Sequence, residues 1–319
     1  MSVAEASLVI TVLNESTTIS AFLDSLRGQT TLPAEIVIVD GGSTDGTTEA
    51  IRTWAPPHGV TVTLIESPGA GISAGRNQAI AAARHDRILV TDAGTEVDPG
   101  WVTALLHAAS SHDADVVSGF FYPVGDTLLQ RAIAFTITPA LAEIDPERFL
   151  PSSRSISFTR EAWAAVGGYP EWLDYCEDLL FDIAMKDAGF VLLFEPAALV
   201  SWSARPTLRA FMKQYYRYAR GDGKAGLWRK RHFARYVAYT AGLTLAVLSL
   251  LTPWTLVALA VCAAAYLEKF WRRVFGRRKA FGRGVVPALA LVPLIVIAGD
   301  LAKMAGYPAG LRWRSRQPA

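Results

Sequence analysis

Glu35-Ile36-Val37-Ile38-Val39-Asp40-Gly41-Gly42-Ser43-Thr44-Asp45-Gly46-Thr47 decides how this chain is read. Its first half is a near-continuous run of β-branched residues, the pattern of a strand buried on both faces. The run closes on a carboxylate and opens into glycines, which tolerate positive φ and close backbone approach. A helix over Thr47–Trp54 follows. Strand, polar turn and helix form the repeating unit of an open α/β sheet, which binds ligands at the carboxyl edge of its strands.

The same alternation extends in both directions. Ser7–Leu13, Val60–Glu66, Arg87–Asp92 and Asp115–Phe121 are predicted strands, and Ser16–Arg27, Ser73–Arg84 and Pro99–Ser110 are predicted helices. The expected fold class is therefore α/β, a mainly parallel, Rossmann-like sheet with helices on both faces. Asp98-Pro99 reads as a helix start, an N-cap carboxylate followed by proline at the first helical position. Tyr122–Leu173 looks less regular, and helix Leu179–Ala188 and strand Val191–Glu195 follow it.

Charge divides the chain. Residues 1–204 hold 10 Lys/Arg and 26 Asp/Glu, whereas residues 205–319 hold 21 and 3, so a net charge of +2 hides an acidic front and a basic tail. Three regions are predicted: a soluble front domain over 1–204, an amphipathic interfacial helix with a basic linker over 205–235, and transmembrane helices with a basic cytosolic loop over 236–319. In Leu208–Arg220 aromatic residues share one face and cations occupy the rest. That suits a helix in the membrane interface, with a helix capping the domain core as the alternative. Tyr236–Leu267 is uncharged and longer than one span needs, and Pro253-Trp254 near its middle predicts a helical hairpin. Lys269–Arg283 is densely basic and is expected to face the cytosol. The topology of Gly284–Lys303 stays open, because Pro287 and Pro293 allow a re-entrant segment. The first thirty residues lack a signal-peptide layout, which places the front domain in the cytosol. Cys176 and Cys262 form neither a disulfide framework nor a zinc pattern.

Several carboxylates could carry chemistry. Asp92, closing a strand, could hold a divalent cation against a diphosphate, or simply cap its loop. Asp40 could accept hydrogen bonds from a base or ribose. Arg76, in Gly75-Arg76-Asn77 at a helix start, suits phosphate. Glu177-Asp178 precede a helix, where an acid is either a cap or a base that deprotonates an attacking hydroxyl. The five histidines give no catalytic triad.

Taken in order, these residues resemble the family-2 glycosyltransferases of the GT-A fold over Ser7 to Gly223. Val12-Leu13-Asn14-Glu15 is similar to the family's opening nucleotide-binding turn. Val39-Asp40 and the glycines after it are similar to its base-contacting strand end, and Gly75-Arg76-Asn77 to its helix start. Gly167-Gly168-Tyr169 followed by Glu177-Asp178 resembles the acceptor-side loop and general-base pair. Gln214-Tyr215-Tyr216-Arg217-Tyr218 is similar to the Gln-x-x-Arg-Trp element of membrane-bound members. The tail resembles non-processive exopolysaccharide or lipid-linked-glycan transferases such as the succinoglycan glucosyltransferases.

The resemblance implies an inverting transfer from a nucleotide diphosphate-sugar to a membrane-associated acceptor, a lipid-linked glycan or polyprenyl phosphate. It makes Asp178 and Glu177 catalytic. Leu13, Asn14, Glu15, Asp40, Arg76, Asp92, Gln214, Arg217 and Tyr218 become donor-binding, with Asp92 holding Mg2+ or Mn2+. It implies membrane lipids as partners and no nucleic acid. The enzyme would sit on the cell membrane, multi-pass or hairpin-anchored, with its catalytic domain cytosolic. Two departures stand out. Gly94 replaces the second carboxylate of the metal motif, leaving Glu96 as a candidate substitute, and Val200-Ser201-Trp202-Ser203 lacks a His that many relatives have. The alternatives are a processive synthase whose helices export its polymer and a catalytically silent nucleotide-binding scaffold.

Overall fold

A computed structural model describes residues 2–317. The chain forms two units. The first runs to Tyr122 and resumes over Leu141–Ser203; the second comprises Pro123–Ala140 and continues from Ala204. Residues 123–140, expected in the front domain, thus belong with the tail.

The sheet contains β1 (Ser2–Val12), β2 (Thr31–Asp40), β3 (Thr61–Glu66), β4 (Arg87–Val90), β5 (Thr95–Val97), β6 (Val116–Val124), β7 (Ile156–Thr159) and β8 (Leu192–Ser203), in the order β3-β2-β1-β4-β7-β6-β8-β5. Helices α1 (Ile19–Arg27), α2 (Thr47–Thr53), α3 (Ile72–Ala82), α4 (Trp101–Ser111), α6 (Arg160–Ala165) and α7 (Glu177–Asp187) accompany it, while α5 (Leu128–Ile137) belongs to the second unit. β3, β2, β1 and β4 run parallel, with Val12 opposite Asp40 and Asp40 opposite Glu66, so their carboxyl ends lie level. The other half is antiparallel, through β4–β7, β7–β6 and β8–β5. β7, with four residues, is too short to show a period, which is one reason Tyr122–Leu173 looked irregular; β5, with three, escaped notice in the same way.

Both faces of β1, β2 and β4 are buried, which explains their continuous apolar runs, while β3 at the edge is partly exposed. Leu8, Ile10, Ile36 and Ile38 pack with Phe22 and Leu23 of α1 and Trp101 and Leu105 of α4. Their sequence neighbours Val9, Val37 and Val39 point to the opposite face, with Ala79 and Ile80 of α3 and Phe181 and Met185 of α7. The site described below stands on this doubly covered half.

The second unit is helical: α5, α8 (Leu208–Ala225), α9 (Arg229–Leu248), α10 (Trp254–Gly276) and α11 (Val285–Arg314). The hairpin expected at Pro253-Trp254 is present as the α9–α10 turn. The basic linker and loop are largely helical instead: Arg229–Arg235 begin α9, and Lys269–Arg273 lie in the last turns of α10. α11 is one helix through Pro293. Pro287 falls in its first turn, where a backbone donor has no partner to lose. α8 packs on α11 inside this unit, Phe211 lying against Gly299. By overall length and mean composition, with a few charged residues allowed, Trp254–Gly276 and Gly282–Arg314 are candidate membrane spans.

Candidate active site

The site grows from the level strand ends. Beyond β1, Asn14 takes a left-handed conformation with φ of 56°. Its backbone N–H donates to Ser43 Oγ at 2.9 Å, and its Oδ1 accepts from the Thr44 N–H at 2.9 Å. The Glu15 N–H donates to Thr47 Oγ1 at 2.8 Å. The β1–α1 and β2–α2 turns are thereby laced into one rim, from which Leu13 and Asn14 are exposed.

Asp40 does something other than expected. Its Oδ1 accepts from the backbone N–H groups of Gly42 and Ser43 at 3.0 and 2.8 Å and from Ser43 Oγ at 2.8 Å, while Thr48 Oγ1 donates to Oδ2. Burial raises its pKa, but the hydrogen bonds from Thr48, Ser43 and Gly42 outweigh that and hold it below the ordinary aspartate value. At 2% exposure, Asp40 shapes the loop from within; the rim it holds is what faces outward.

Arg76 also departs from the expectation of an open phosphate ligand. A Cβ on Gly75 would stand 2.8 Å from Thr11 Cγ2, so glycine lets the start of α3 press against β1. That approach buries Arg76. Its Nη2 donates to Asp92 Oδ1 at 2.8 Å and its Nη1 to Glu177 Oε1 at 2.9 Å, and its guanidinium lies 5.2 Å from the centre of the Tyr169 ring. Asn77 fastens the next loop: it donates to the Tyr169 carbonyl at 2.9 Å and accepts from the Tyr169 N–H at 2.8 Å. Gly-Arg-Asn therefore joins the end of β4 to the loop at Tyr169 and the start of α7.

Cys176, with φ of 66°, turns the chain sharply into α7 and delivers Glu177 and Asp178 in its first turn. Burial and the adjacent Asp178 push Glu177 up to about 7, against the pull of Arg76. Asp178 is half-buried, and its Oδ1 accepts from the Leu179 N–H at 2.8 Å. One turn on, Asp182 is 1% exposed, and neither carboxylate oxygen has a partner among the described residues. Burial, with Asp178 beside it, drives its pKa well up. Its place in an apolar helix pattern gave no signal.

Two further residues stand beside Asp92. Arg154, in a stretch that looked irregular, lies 3.7 Å from Asp92 Oδ2, with its guanidinium 5.3 Å from the Trp202 ring centre. The antiparallel β5–β8 pairing sets Trp202 opposite Thr95, so tryptophan under an arginine stands where the His was looked for. Gln214, Arg217 and Tyr218 lie on α8 of the second unit, where Gln214 Nε2 donates to the Tyr218 hydroxyl at 2.7 Å.

Comparison with known proteins shows the family to which this chain belongs. Residues 7–157 match the model described as glycosyl transferase family 2, and residues 87–299 the model described as glycosyl transferase family group 2. The chain is a family-2 glycosyltransferase. It is 30% identical over 227 residues to the succinoglycan biosynthesis protein ExoA of Rhizobium meliloti, covering 68% of each chain. It is 27% identical to the glycosyltransferase AglE of Haloferax volcanii, covering 70% of this chain and 73% of that one. Among solved structures, the mannosyltransferase PcManGT from Pyrobaculum calidifontis, in complex with GDP-Man and Mn2+, superposes with a TM-score of 0.54 at 19% identity, covering 94% of this chain and 87% of that one. S. aureus TarS 1-349 gives 0.52 at 17% identity, covering 98% and 92%. These likenesses establish the GT-A fold of the transferase.

Asp92 and Glu15 offer carboxylate oxygens, the hard donors a divalent cation takes. A Cβ on Gly94 would stand 3.8 Å from Glu15 Oε2, so the acid facing the missing side chain is Glu15, and no atom of Glu96 is among the nearest neighbours of that point. Among the described residues no three acidic, His or Cys side chains gather as a metal cluster. Two hard carboxylate oxygen donors, with diphosphate and water filling the remaining positions, are what Mg2+ or Mn2+ accepts.

Proposed function

We propose that this family-2 glycosyltransferase moves a sugar from a nucleotide diphosphate-sugar to a membrane-associated acceptor hydroxyl or phosphate, with inversion, in polysaccharide or cell-envelope synthesis. The observation that carries the reading is the row Asp92–Arg76–Glu177, bonded at 2.8 and 2.9 Å, which joins the donor-side carboxylate to the acceptor-side acid pair. The names of ExoA and of the GDP-Man and UDP-GlcNAc complexes support a nucleotide-sugar donor and a polysaccharide setting.

In this reading the base lies along the Leu13–Glu15 and Asp40–Gly46 rim, and the diphosphate lies beside Asp92 and Arg154. Where the acceptor is a hydroxyl, Asp178 takes its proton as the oxygen bonds to the anomeric carbon; a phosphate acceptor attacks through an oxygen that is already ionised. The bond from that carbon to the diphosphate oxygen breaks on the opposite face, and the diphosphate leaves with the electron pair. Arg154, stacked on Trp202, stabilises the charge that develops there. Asp92 and Glu15 would hold a divalent cation, which supplies Lewis-acid neutralisation of the diphosphate when bound. Arg76 acts as a positioning residue: it fixes Asp92 and Glu177 and leaves Asp178 to the acceptor. Gln214, Arg217 and Tyr218 of α8 keep the donor-binding role that the family pattern assigns them, and membrane lipids hold the second unit at the cytosolic face.

The test is a donor screen with UDP-, GDP- and dTDP-sugars in membranes, with and without native lipid extract, reading nucleotide release and labelled lipid product. One donor giving acceptor-dependent release is expected. Hydrolysis without lipid-linked product for every donor would contradict the acceptor assignment, and product chains that lengthen during one encounter would favour a processive synthase.

A further inference from the structure

We infer that the second unit is seated in a single leaflet of the membrane and does not cross the bilayer. The inference rests on the membrane association proposed above and fixes its depth.

A span needs ~20 apolar residues to cover ~30 Å of hydrocarbon at ~1.5 Å per residue. α9 is charge-free only from Tyr236 to Leu248, which is 13 residues counted inclusively, because Arg235 precedes them. α10 is charge-free from Trp254 to Leu267, 14 residues, before Glu268 and Lys269. α11 is charge-free from Val285 to Gly299, 15 residues, before Asp300. Each stretch is ~20–22 Å long, too short to cross, and those of the α9–α10 hairpin are long enough to fill one leaflet. The longest uncharged run, Tyr236–Leu267, gains no reach, since it folds back at the α9–α10 turn.

The two ends of that hairpin differ as a membrane requires. At the turn, Leu250, Leu251 and Trp254 are 85%, 83% and 79% exposed, apolar surface that water would penalise and lipid accepts. At the base, α9 opens with exposed Arg229, Lys230 and Arg231, and α10 closes with Lys269, Arg272 and Arg273. About one turn inside that base, Arg235 Nε donates to Asp300 Oδ1 at 2.7 Å, and Tyr266 and Tyr239 donate to its Oδ2 at 2.6 and 3.3 Å. Cations followed by tyrosines are the order met on going from headgroups into the acyl region.

α11 cannot carry on through the hydrocarbon beyond Gly299. From there it lies in backbone contact with α8: a Cβ on Gly306 would collide with the Tyr216 carbonyl, and one on Gly310 with the Arg220 carbonyl. α8 carries Arg209, Lys213, Arg217, Arg220, Asp222 and Lys224 along its length, so this half of α11 shares a polar, headgroup-level setting. A helix lying along the interface keeps Arg283 at one end and Arg312 and Arg314 at the other in anionic headgroups; a crossing helix would send one group to the far side. The partner is thus one anionic leaflet. A unit seated this way builds no passage across the bilayer, and it takes its acceptor from the leaflet it occupies.

Two measurements on the full chain test this. First, Leu250→Cys is made in a Cys262→Ala background, and right-side-out vesicles of native membrane are treated with a membrane-impermeant maleimide. No outer-face labelling above the Cys262→Ala background is expected, with labelling of the introduced thiol after detergent; labelling from the outer face would overturn the inference. Second, an epitope placed after Ala319 leaves the hairpin untouched. It is expected to resist protease in right-side-out vesicles and to be cut in inside-out ones; cleavage from the outer face would overturn the inference as well. Release of the chain by alkaline carbonate would overturn the membrane association itself, a result separable from outer-face labelling, which removes only the assigned depth.

Discussion

Arg76 in the first unit and Arg235 in the second are both mostly buried, and both donate to a buried or half-buried carboxylate, yet their surroundings differ. Arg76 serves two acids, Asp92 and Glu177, while Asp178 and Asp182, whose oxygens have no partner among the described residues, stand on the same helix as Glu177, so carboxyl groups outnumber the arginines that meet them. Arg235 serves one acid, Asp300, whose second oxygen is met by two tyrosine hydroxyls. A polar cluster with every group paired rigidifies helices. One with surplus carboxyl groups keeps an acid ready to take a proton. The same pairing therefore marks chemistry in one unit and architecture in the other.

Asp178→Asn should separate the two roles most widely. It keeps shape and removes basicity, so turnover should fall ~10²–10⁴-fold, with nucleotide affinity, read by calorimetry, within a few-fold of wild type. Turnover close to wild type would take Asp178 out of the base role.

Asp300→Asn should act the other way. It leaves Arg235 without a counter-charge, and breaking a buried pair costs ~3–5 kcal/mol. Thermal unfolding in detergent should show that loss, while kcat at low temperature is retained. A collapse of kcat with stability unchanged would mean that the tail's cluster is chemical after all.

Glu177→Gln sharpens the contrast through pH. With a folded pKa of about 7 against an ordinary 4.5, Glu177 keeps its proton in the folded state where the unfolded chain has already released it. Its contribution to stability is therefore complete below pH ~4.5 and declines as pH rises to ~7, by up to ~3 kcal/mol. The substitution should flatten that decline in denaturant titrations taken across the window. An unchanged slope would place the proton elsewhere, Asp182 being the next group to replace.

Glu15→Gln should have the smallest effect: Mn2+ affinity, measured by electron paramagnetic resonance with nucleoside diphosphate present, should weaken roughly tenfold. Equal affinity would show that Asp92 needs no second carboxylate.

The parallel half of the sheet was legible in the sequence because burial on both faces writes itself as unbroken apolar runs, as in Glu35–Asp40. The hairpin was legible because Pro253 interrupts an uncharged stretch. In the antiparallel half β6 and the start of β8 were legible as well, but β5 and β7 were not, being shorter than any period that could reveal them. The acid pair and the strand-end carboxylates could be picked out by type and order, but type does not disclose which way a side chain is spent. Asp40 and Arg76 are turned inward by hydrogen bonds that join residues up to 101 positions apart. Arg154 and Asp182 were missed because their neighbours carry no motif; only the packing of Trp202 under Arg154 and the burial of α7 give them meaning. The tail's depth was hidden for a related reason. Hydropathy counts apolar residues without knowing where the chain folds back, or that α11 lies along a charged helix.

The central claim is that Asp178 acts as base in a single displacement at a site joined through Arg76. The stereochemistry of the product tests it most directly. With an α-linked nucleotide-sugar donor, the anomeric coupling constant of the transferred sugar, read by NMR on the first product formed, should report the β configuration. An α-linked first product would mean retention, and would contradict a one-step transfer with Asp178 as its base.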